Sequence, residues 1–147
     1  MSKTNDLILK MTTTAIVFIL LGFAIYLLFA GHNMPGGGFI GGLVTSGAII
    51  LLYMAYGEKM VSTLFKFNFR TLIPLGVLMA LLTGVGSLFF GKPFLTHTFG
   101  HITVPIFGSI ELATAMLFDI GVYLTVLGVT ITIILNVNER ESEDTNF

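Results

Sequence analysis

The sequence predicts an all-α integral membrane protein whose four transmembrane helices leave both termini in the cytoplasm. The first observation behind this fold class is composition: 54% of the 147 residues are hydrophobic, 10% are charged, and the mean hydropathy is +0.94. Water-soluble domains carry about 25% charged residues, so a soluble domain is not expected. The second observation is four long apolar runs, and the third is a one-sided distribution of Lys and Arg.

Each of the four runs is long enough to cross a bilayer, which requires roughly 20 apolar residues in a helix. Helices are expected because backbone groups in lipid need partners within their own segment unless a closed barrel forms, and strand-like alternation is missing. The chain is therefore predicted to form a single membrane domain with spans at residues 11–30, 39–56, 71–90 and 112–136, outer loops at 31–38 and 91–111, a cytoplasmic loop at 57–70 and an acidic cytoplasmic tail at 137–147. The tail is expected to be short, solvated and frayed.

The first run is expected to stay in the mature protein as a span. It is longer than the apolar core of a signal peptide, which has about 7 to 15 residues, and it lacks an A-x-A cleavage site.

The predicted orientation follows from seven basic residues. Only Lys92 falls on the side of the two outer loops. Because cytoplasmic loops carry an excess of Lys and Arg, the side with the other six is expected to be cytoplasmic. These six are Lys3, Lys10, Lys59, Lys66, Arg70 and Arg140.

Both longer loops have recognisable patterns. The stretch FKFNFR at residues 65–70 alternates aromatic with polar residues, which favours a segment at the cytoplasmic headgroup level. A specific site for anionic lipid would need a tighter basic cluster. In the longer outer loop, the β-branched stretch between Gly100 and Gly108 is compatible with a short hairpin that keeps Pro105 at an edge.

Small residues recur at four-residue intervals in the last three spans. Residues spaced by four share a helix face, and small ones let membrane helices approach closely. Such faces need partners, either each other or other membrane proteins, and three of them in one small chain favour a larger assembly. The residues are Gly38, Gly42 and Ser46 in span two, Gly76, Ala80 and Gly84 in span three, and Gly128 and Thr132 in span four.

Asp119 lies within span four and is the main candidate for chemistry. It is about 12 Å along the helix from Glu111, at about 1.5 Å per residue, and thus on the outer side of the bilayer midplane. A charged residue at a helix centre costs about 2.5 to 3.5 kcal/mol on insertion scales, so such residues usually face protein or water and mark ion or proton routes. Two interpretations stay open: Asp119 is a cation-binding or protonatable group, or it bonds a neighbouring subunit and fixes its docking.

Other polar side chains on the outer side give weaker signals. His97 and His101 are spaced for one helix face, but Gly100 and the β-branched run after it argue against a helix, so no metal site is expected. Glu111 either guides protons or cations at the mouth of span four or serves as an interfacial, helix-start acid. His32 remains as a candidate for lining an outer vestibule.

Catalysis and cofactor binding are not expected. The pattern Gly36-x-Gly38-x-x-Gly41 matches a dinucleotide fingerprint, with Glu58 about 20 residues further on. However, the pattern follows a membrane span instead of a strand, and Glu58 would lie at the opposite membrane surface. The absence of cysteine excludes thiol catalysis and cysteine-ligated metals, and no nucleophile paired with a base is present.

Three stretches together resemble a known family. GHNMPGGGFIGGL at residues 31–43, GKPFL at 91–95 and FDIGVYL at 118–124 are similar to the B subunits of the multisubunit Mrp (Mnh) cation/proton antiporters of bacteria. The resemblance extends over nearly the whole chain, and its glycine-rich block is the most specific part.

This resemblance implies a multi-pass subunit of a bacterial cell membrane complex that exchanges internal Na⁺, in some cases K⁺ or Li⁺, for external H⁺. The implied partners are other membrane subunits, including large subunits that resemble the proton-pumping subunits of respiratory complex I. Membrane lipid is the other expected contact, and neither nucleic acid nor a cofactor is expected. The activity of the whole complex does not by itself assign a role to this small subunit.

The glycine-rich block is expected to reverse the chain at the outer surface. Pro35 fixes one φ angle, Gly36 and Gly37 are free to adopt positive φ, and Gly38 starts a close-packing face. A second interpretation is that irregular backbone and His32 line an outer vestibule beside Asp119, because such backbone is tolerated where it borders a cavity.

Three functional hypotheses follow. The first is an antiporter subunit in which Asp119, alone or with Glu111, shapes the ion route. The second is a structural subunit that holds its neighbours and carries no ion. The third, an autonomous small channel or transporter, is disfavoured because one acidic residue in four spans offers little for coupling two ions.

Overall fold

The computed structural model describes residues 2–31, 36–89 and 108–144. All the elements that these residues form are helices, as the sequence predicts, and four of them are long and apolar enough to cross a membrane. The elements are α1 Ser2–Ala30, α2 Gly37–Tyr56, α3 Glu58–Leu64, α4 Phe69–Phe89 and α5 Gly108–Asp144.

The first and last helices extend beyond the predicted spans. α1 begins at Ser2 instead of residue 11, and α5 continues to Asp144 instead of ending near residue 136. The acidic tail is therefore helical and exposed through much of its length, so the expectation of a frayed end is wrong for these residues. An α-helix satisfies its own backbone groups, and it need not stop where its apolar run stops.

The connections between helices also differ from the prediction. α2 begins at Gly37, inside the predicted outer loop, and the cytoplasmic loop contains the unpredicted helix α3. Gly57, with a φ of 82°, separates α2 from α3 and donates its N–H to the Tyr53 carbonyl at 2.9 Å. The predicted hairpin around Pro105 lies outside the described residues.

The membrane helices pack in the order α1, α2, α5, α4. α5 lies between α2 and α4, and within the described ranges no Cα atom of α4 comes within 8 Å of α1 or α2. α5 meets α2 at Asp119 and Tyr123 and meets α4 at Gly121 and Thr125. These pairs fall on opposite sides of a helix with 3.6 residues per turn, so the helices form an open row instead of a closed bundle.

Glycines set the close approach of α4 to α5. A Cβ atom on Gly76 would stand 2.5 Å from the carbonyl oxygen of Gly121, and one on Gly121 would stand 2.8 Å from the Ala80 nitrogen. A Cβ atom on Gly128 would lie 2.8 Å from the Phe69 carbonyl oxygen. Gly76 and Ala80 of the predicted span-three face thus lie against Gly121, which belongs to no predicted face, whereas Gly128 of the predicted span-four face lies against Phe69 and Ile73. Small residues at such crossings allow extensive backbone contact.

The largest buried apolar cluster lies at the end of the row that carries α3. Ile49, Phe69, Leu127 and Ile131 form its centre and join α2, α4 and α5. Elsewhere large apolar side chains are exposed along the helices; Phe18, for example, is 72% exposed. Extensive apolar exposure on the helix faces matches a lipid environment, in which burial of such side chains gives no hydrophobic advantage.

Candidate functional site

The carboxylate of Asp119 lies where α5 meets the turn between α1 and α2. A Cβ atom placed on Gly31 would stand 3.3 Å from Oδ2 of Asp119. One placed on Gly38 would overlap the backbone oxygen of Asp119 and lie 2.9 Å from its carbonyl carbon. Glycine at these two positions therefore makes room for both the backbone and the side chain of Asp119.

Glycines on either side of the turn let the end of α1 and the start of α2 lie close together. Gly36 has a φ of 104°, a left-handed conformation that glycine adopts without penalty. A Cβ atom on Gly37 would stand 2.7 Å from the Leu27 carbonyl oxygen, so the start of α2 lies directly against the end of α1. The Gly31 N–H donates to that same carbonyl at 2.9 Å, which extends the hydrogen-bonding of α1 into the turn. The end of α1 and the start of α2 therefore lie close together, while residues 32–35 of the predicted turn, which include His32 and Pro35, lie outside the described residues.

Asp119 is half-buried in this chain, so its expected burial is not confirmed. Among the described residues, the buried polar side chains are Thr13, Thr45 and Ser46, and none of the buried ones is charged. Among the described residues, α5 packs against α4 on one side and against α2, with a few contacts to α1, on the other, and these helices leave the Asp119 side chain partly accessible.

Two hydroxyl groups lie close together one helical turn after Asp119 on α5. The Tyr123 and Thr45 hydroxyls are 2.8 Å apart across the α2–α5 contact, and Thr45 also donates to the Gly41 carbonyl at 2.9 Å. Interhelical hydrogen bonds of this kind contribute about 0.6 kcal/mol on average in membranes. Asp119 and Tyr123 share the α2-facing side of α5 because they are four residues apart.

The close-packing face predicted in span two lies at the same contact. A Cβ atom on Gly42 would stand 3.0 Å from the Tyr123 carbonyl oxygen, and Ser46 is fully buried with its hydroxyl donating to the Gly42 carbonyl at 2.7 Å. Gly38, Gly42 and Ser46 thus let α2 approach the segment of α5 that carries Asp119.

The other predicted site residues are not brought together by the described structure. Glu111 is in the first turn of α5, two helical turns from Asp119, and the histidines at 97 and 101 lie outside the described residues. No group of three potential metal ligands is present within residues 2–31, 36–89 and 108–144. Gly84 lines an apolar groove of about 300 Å³ between α4 and α5.

Sequence reasoning missed two residues at the contacts that α5 makes with its neighbours. Gly121 was not assigned to a packing face, although it lies four residues before Thr125 on the α4 side of α5. Thr45 was overlooked because a hydroxyl in a span can bond its own helix, and its second bond to Tyr123 depends on which helices are neighbours.

Four apolar helices, with a carboxylate at a glycine-lined helix contact, define a multi-pass membrane protein. Residues 8–132 match a family described as a domain related to the MnhB subunit of Na⁺/H⁺ antiporter. The chain belongs to this MnhB family, which confirms the resemblance found in the sequence. The matched residues include both the turn and Asp119.

Two curated relatives are similar to the chain over nearly its full length. The B subunit of the Na⁺/H⁺ antiporter of Bacillus subtilis (strain 168) is 56% identical over 139 residues, which cover 95% of this chain and 97% of the relative. The corresponding B subunit of the Na⁺/H⁺ antiporter of Alkalihalophilus pseudofirmus is 46% identical over 139 residues, covering 95% of this chain and 96% of the relative.

Proposed function

We propose that the chain is a membrane subunit of a Na⁺/H⁺ antiporter complex in a bacterial cell membrane, and that Asp119 contributes to the cation or proton route. Membership of the MnhB family and the names of both relatives support the first part. The implied partners are other membrane subunits of the complex, including large complex I-like ones, and the transported ions are Na⁺ and H⁺. No catalytic activity is proposed for this subunit.

The position of the Asp119 carboxylate supports the second part of the proposal. It is the only Asp or Glu between residues 112 and 136, and it is half-buried beside Gly31 and Gly38. Docking of α5 on the turn does not require a carboxylate, because the contact with Gly38 is made by the backbone of Asp119. A charged side chain within a membrane span also costs free energy. A role for the side chain itself, in binding a cation or exchanging a proton, accounts for that cost.

A purely structural subunit is the second candidate. Large apolar side chains are exposed along α1 and α4, which supports a role in holding neighbouring membrane subunits. In that case Asp119 would bond a partner subunit and carry no ion.

Complex membership predicts that a tagged form of the full chain co-purifies with large membrane subunits after mild detergent extraction. Deleting the chain should abolish Na⁺-driven proton exchange in inverted vesicles, and re-expressing it should restore exchange. Recovery of the tagged chain alone, with exchange unchanged by the deletion, would contradict membership. Cation flux through the purified chain alone in liposomes would instead support an autonomous transporter.

The proposed orientation places both termini and α3 in the cytoplasm. Two basic residues lie at the same end of the row as α3: Lys10 is 5.7 Å from the ring centroid of Tyr56 at the end of α2, and Arg70 at the start of α4 donates to Asn136 on α5. Loops with an excess of Lys and Arg tend to stay on the cytoplasmic side of the membrane, which supports the proposed orientation.

The chain has no cysteine, so single cysteines can report its orientation. In intact cells, an impermeant maleimide should label Thr96→Cys and leave Ser62→Cys unlabelled until the membrane is permeabilised. The reverse labelling pattern would overturn the proposed orientation.

A further inference from the structure

A polar cavity of about 350 Å³ lies at the end of the helix row that carries α3. It is lined by the last turn of α2, by α3, by the segment between α3 and α4, and by the adjoining turns of α4 and α5. Its volume is within the range of small-molecule sites, about 300 to 1,000 Å³. The cavity is far along α5 from Asp119, and the proposed antiporter role makes no use of it.

The charges around this cavity are balanced. Two basic residues, Lys66 and Arg70, and two acidic residues, Glu58 and Glu139, contribute to the lining. An anionic headgroup would meet two carboxylates as well as two cations, whereas a zwitterionic headgroup can place each of its charges against the opposite charge. We propose that the cavity binds the headgroup of an aminophospholipid, with its phosphate at Lys66 and Arg70 and its ammonium group at Glu58 and Glu139.

Arg70 is held in place for such a contact. Its Nη2 atom donates to Oδ1 of Asn136 at 2.9 Å, which ties the start of α4 to α5 at the edge of the cavity. A guanidinium has five N–H donors, so this bond leaves others for a phosphate, and its planar shape suits paired contacts with phosphate oxygens.

Thr132 provides an observation independent of the charges. The residue lines the same cavity, and its hydroxyl oxygen is buried and has no hydrogen-bond partner in the described structure. Threonine in a helix can bond the carbonyl four residues earlier, as Thr45 does with Gly41, but Thr132 does not. Buried hydroxyls are normally paired, and a ligand in the cavity that this hydroxyl turned to meet would supply the missing partner.

The depth of the cavity fits a lipid headgroup. It lies where α4 begins and where α5 changes from apolar residues to the charged, exposed stretch after Asn136. Phe65, Phe67 and Phe69 line it and pack in edge-to-face and tilted pairs with ring centroids 5.2 to 5.9 Å apart, and aromatic residues are enriched at membrane interfaces.

The test uses the intact, delipidated complex in detergent, titrated with phosphatidylethanolamine and followed by native mass spectrometry. The paired changes Lys66→Gln with Arg70→Gln, and Glu58→Gln with Glu139→Gln, should each weaken binding about tenfold or more, because each removes charge-assisted contacts. Thr132→Val should weaken it less, since only a neutral hydrogen bond is lost. The matched control, Lys59→Gln with Glu141→Gln, removes one charge of each sign outside the cavity and should leave binding unchanged.

Four outcomes would overturn the proposal. Tighter binding of phosphatidylglycerol, strengthened by the two Glu→Gln changes, would show an anionic site. Equal binding of water-soluble glycerophosphoethanolamine would assign the cavity to a soluble phosphate ester instead of a lipid. Unchanged phosphatidylethanolamine binding in both paired variants would place the lipid elsewhere. Loss of a partner subunit from those variants, without any lipid binding to the parent complex, would assign the cavity to a protein contact.

Discussion

Gly38→Ala is expected to separate α2 from α5 and to reduce the amount of folded, assembled protein severely. The added methyl group would overlap the backbone oxygen of Asp119 and lie 3.1 Å from its Cα atom. Backbone cannot rotate away as a flexible side chain can, so the helices themselves must move. Overpacking of this kind costs about 1 to 3 kcal/mol and sometimes more, which is a large fraction of typical protein stability.

Gly47→Ala is the matched control for this change because it lies in the same helix. A Cβ atom on Gly47 has nothing within 4 Å, and alanine is favoured over glycine in helices by about 1 kcal/mol. The amount of assembled complex in size-exclusion chromatography and the melting temperature of the solubilised complex should therefore decrease for Gly38→Ala. Both should stay level or increase for Gly47→Ala. Equal behaviour of the two variants would contradict the close contact between α2 and Asp119.

Asp119→Asn is expected to leave the complex assembled and to lower its exchange activity about tenfold or more. The contact with Gly38 is made by the backbone of Asp119, and an amide has nearly the shape of the carboxylate beside Gly31, so helix packing is preserved. An amide cannot carry the negative charge or exchange the proton. Loss of one charge-assisted contact, about 1.5 to 3 kcal/mol, changes binding of a cation by at least about tenfold.

Glu141→Gln is the corresponding control. It removes a carboxylate from the same helix at an exposed position near the other end of α5, where no ion route is proposed. Exchange and abundance should both remain at the level of the parent complex. A similar loss of exchange in Glu141→Gln would attribute the effect of Asp119→Asn to charge in general.

The spans were predictable because their causes are local. Length, apolar content and the lack of charge decide whether a segment crosses a bilayer, and all four apolar runs became long helices. The ends were less predictable. α3 has only seven residues and the helix after Asn136 is mostly polar in sequence, so the hydropathy pattern that marks a span gives no sign of either.

The order of the helices was not predictable from their small-residue faces. Gly76 and Gly42 are equally suited to a close helix contact, and only the structure shows that both meet α5, on opposite sides. A face of small residues specifies that a partner approaches closely, and the identity of that partner depends on the rest of each surface.

The sequence suggested that the glycine-rich turn lies near Asp119, but it did not predict how far the Asp119 side chain is buried. The expectation that the glycine-rich turn lies near Asp119 agrees with the 3.3 Å separation between Oδ2 and a Cβ atom on Gly31. Among the described residues, the helices that pack against α5 leave Asp119 half-buried. Burial is a property of everything that surrounds a side chain, so a single sequence could not supply it.

Na⁺-driven collapse of a preformed pH gradient in inverted vesicles, measured for Asp119→Asn and normalised to an intact partner subunit, tests the role of Asp119 most directly. The proposed ion-route function predicts normal complex abundance together with lost exchange per complex. Normal exchange per assembled complex would contradict it. Disappearance of the complex would also contradict it, and would assign Asp119 to subunit docking.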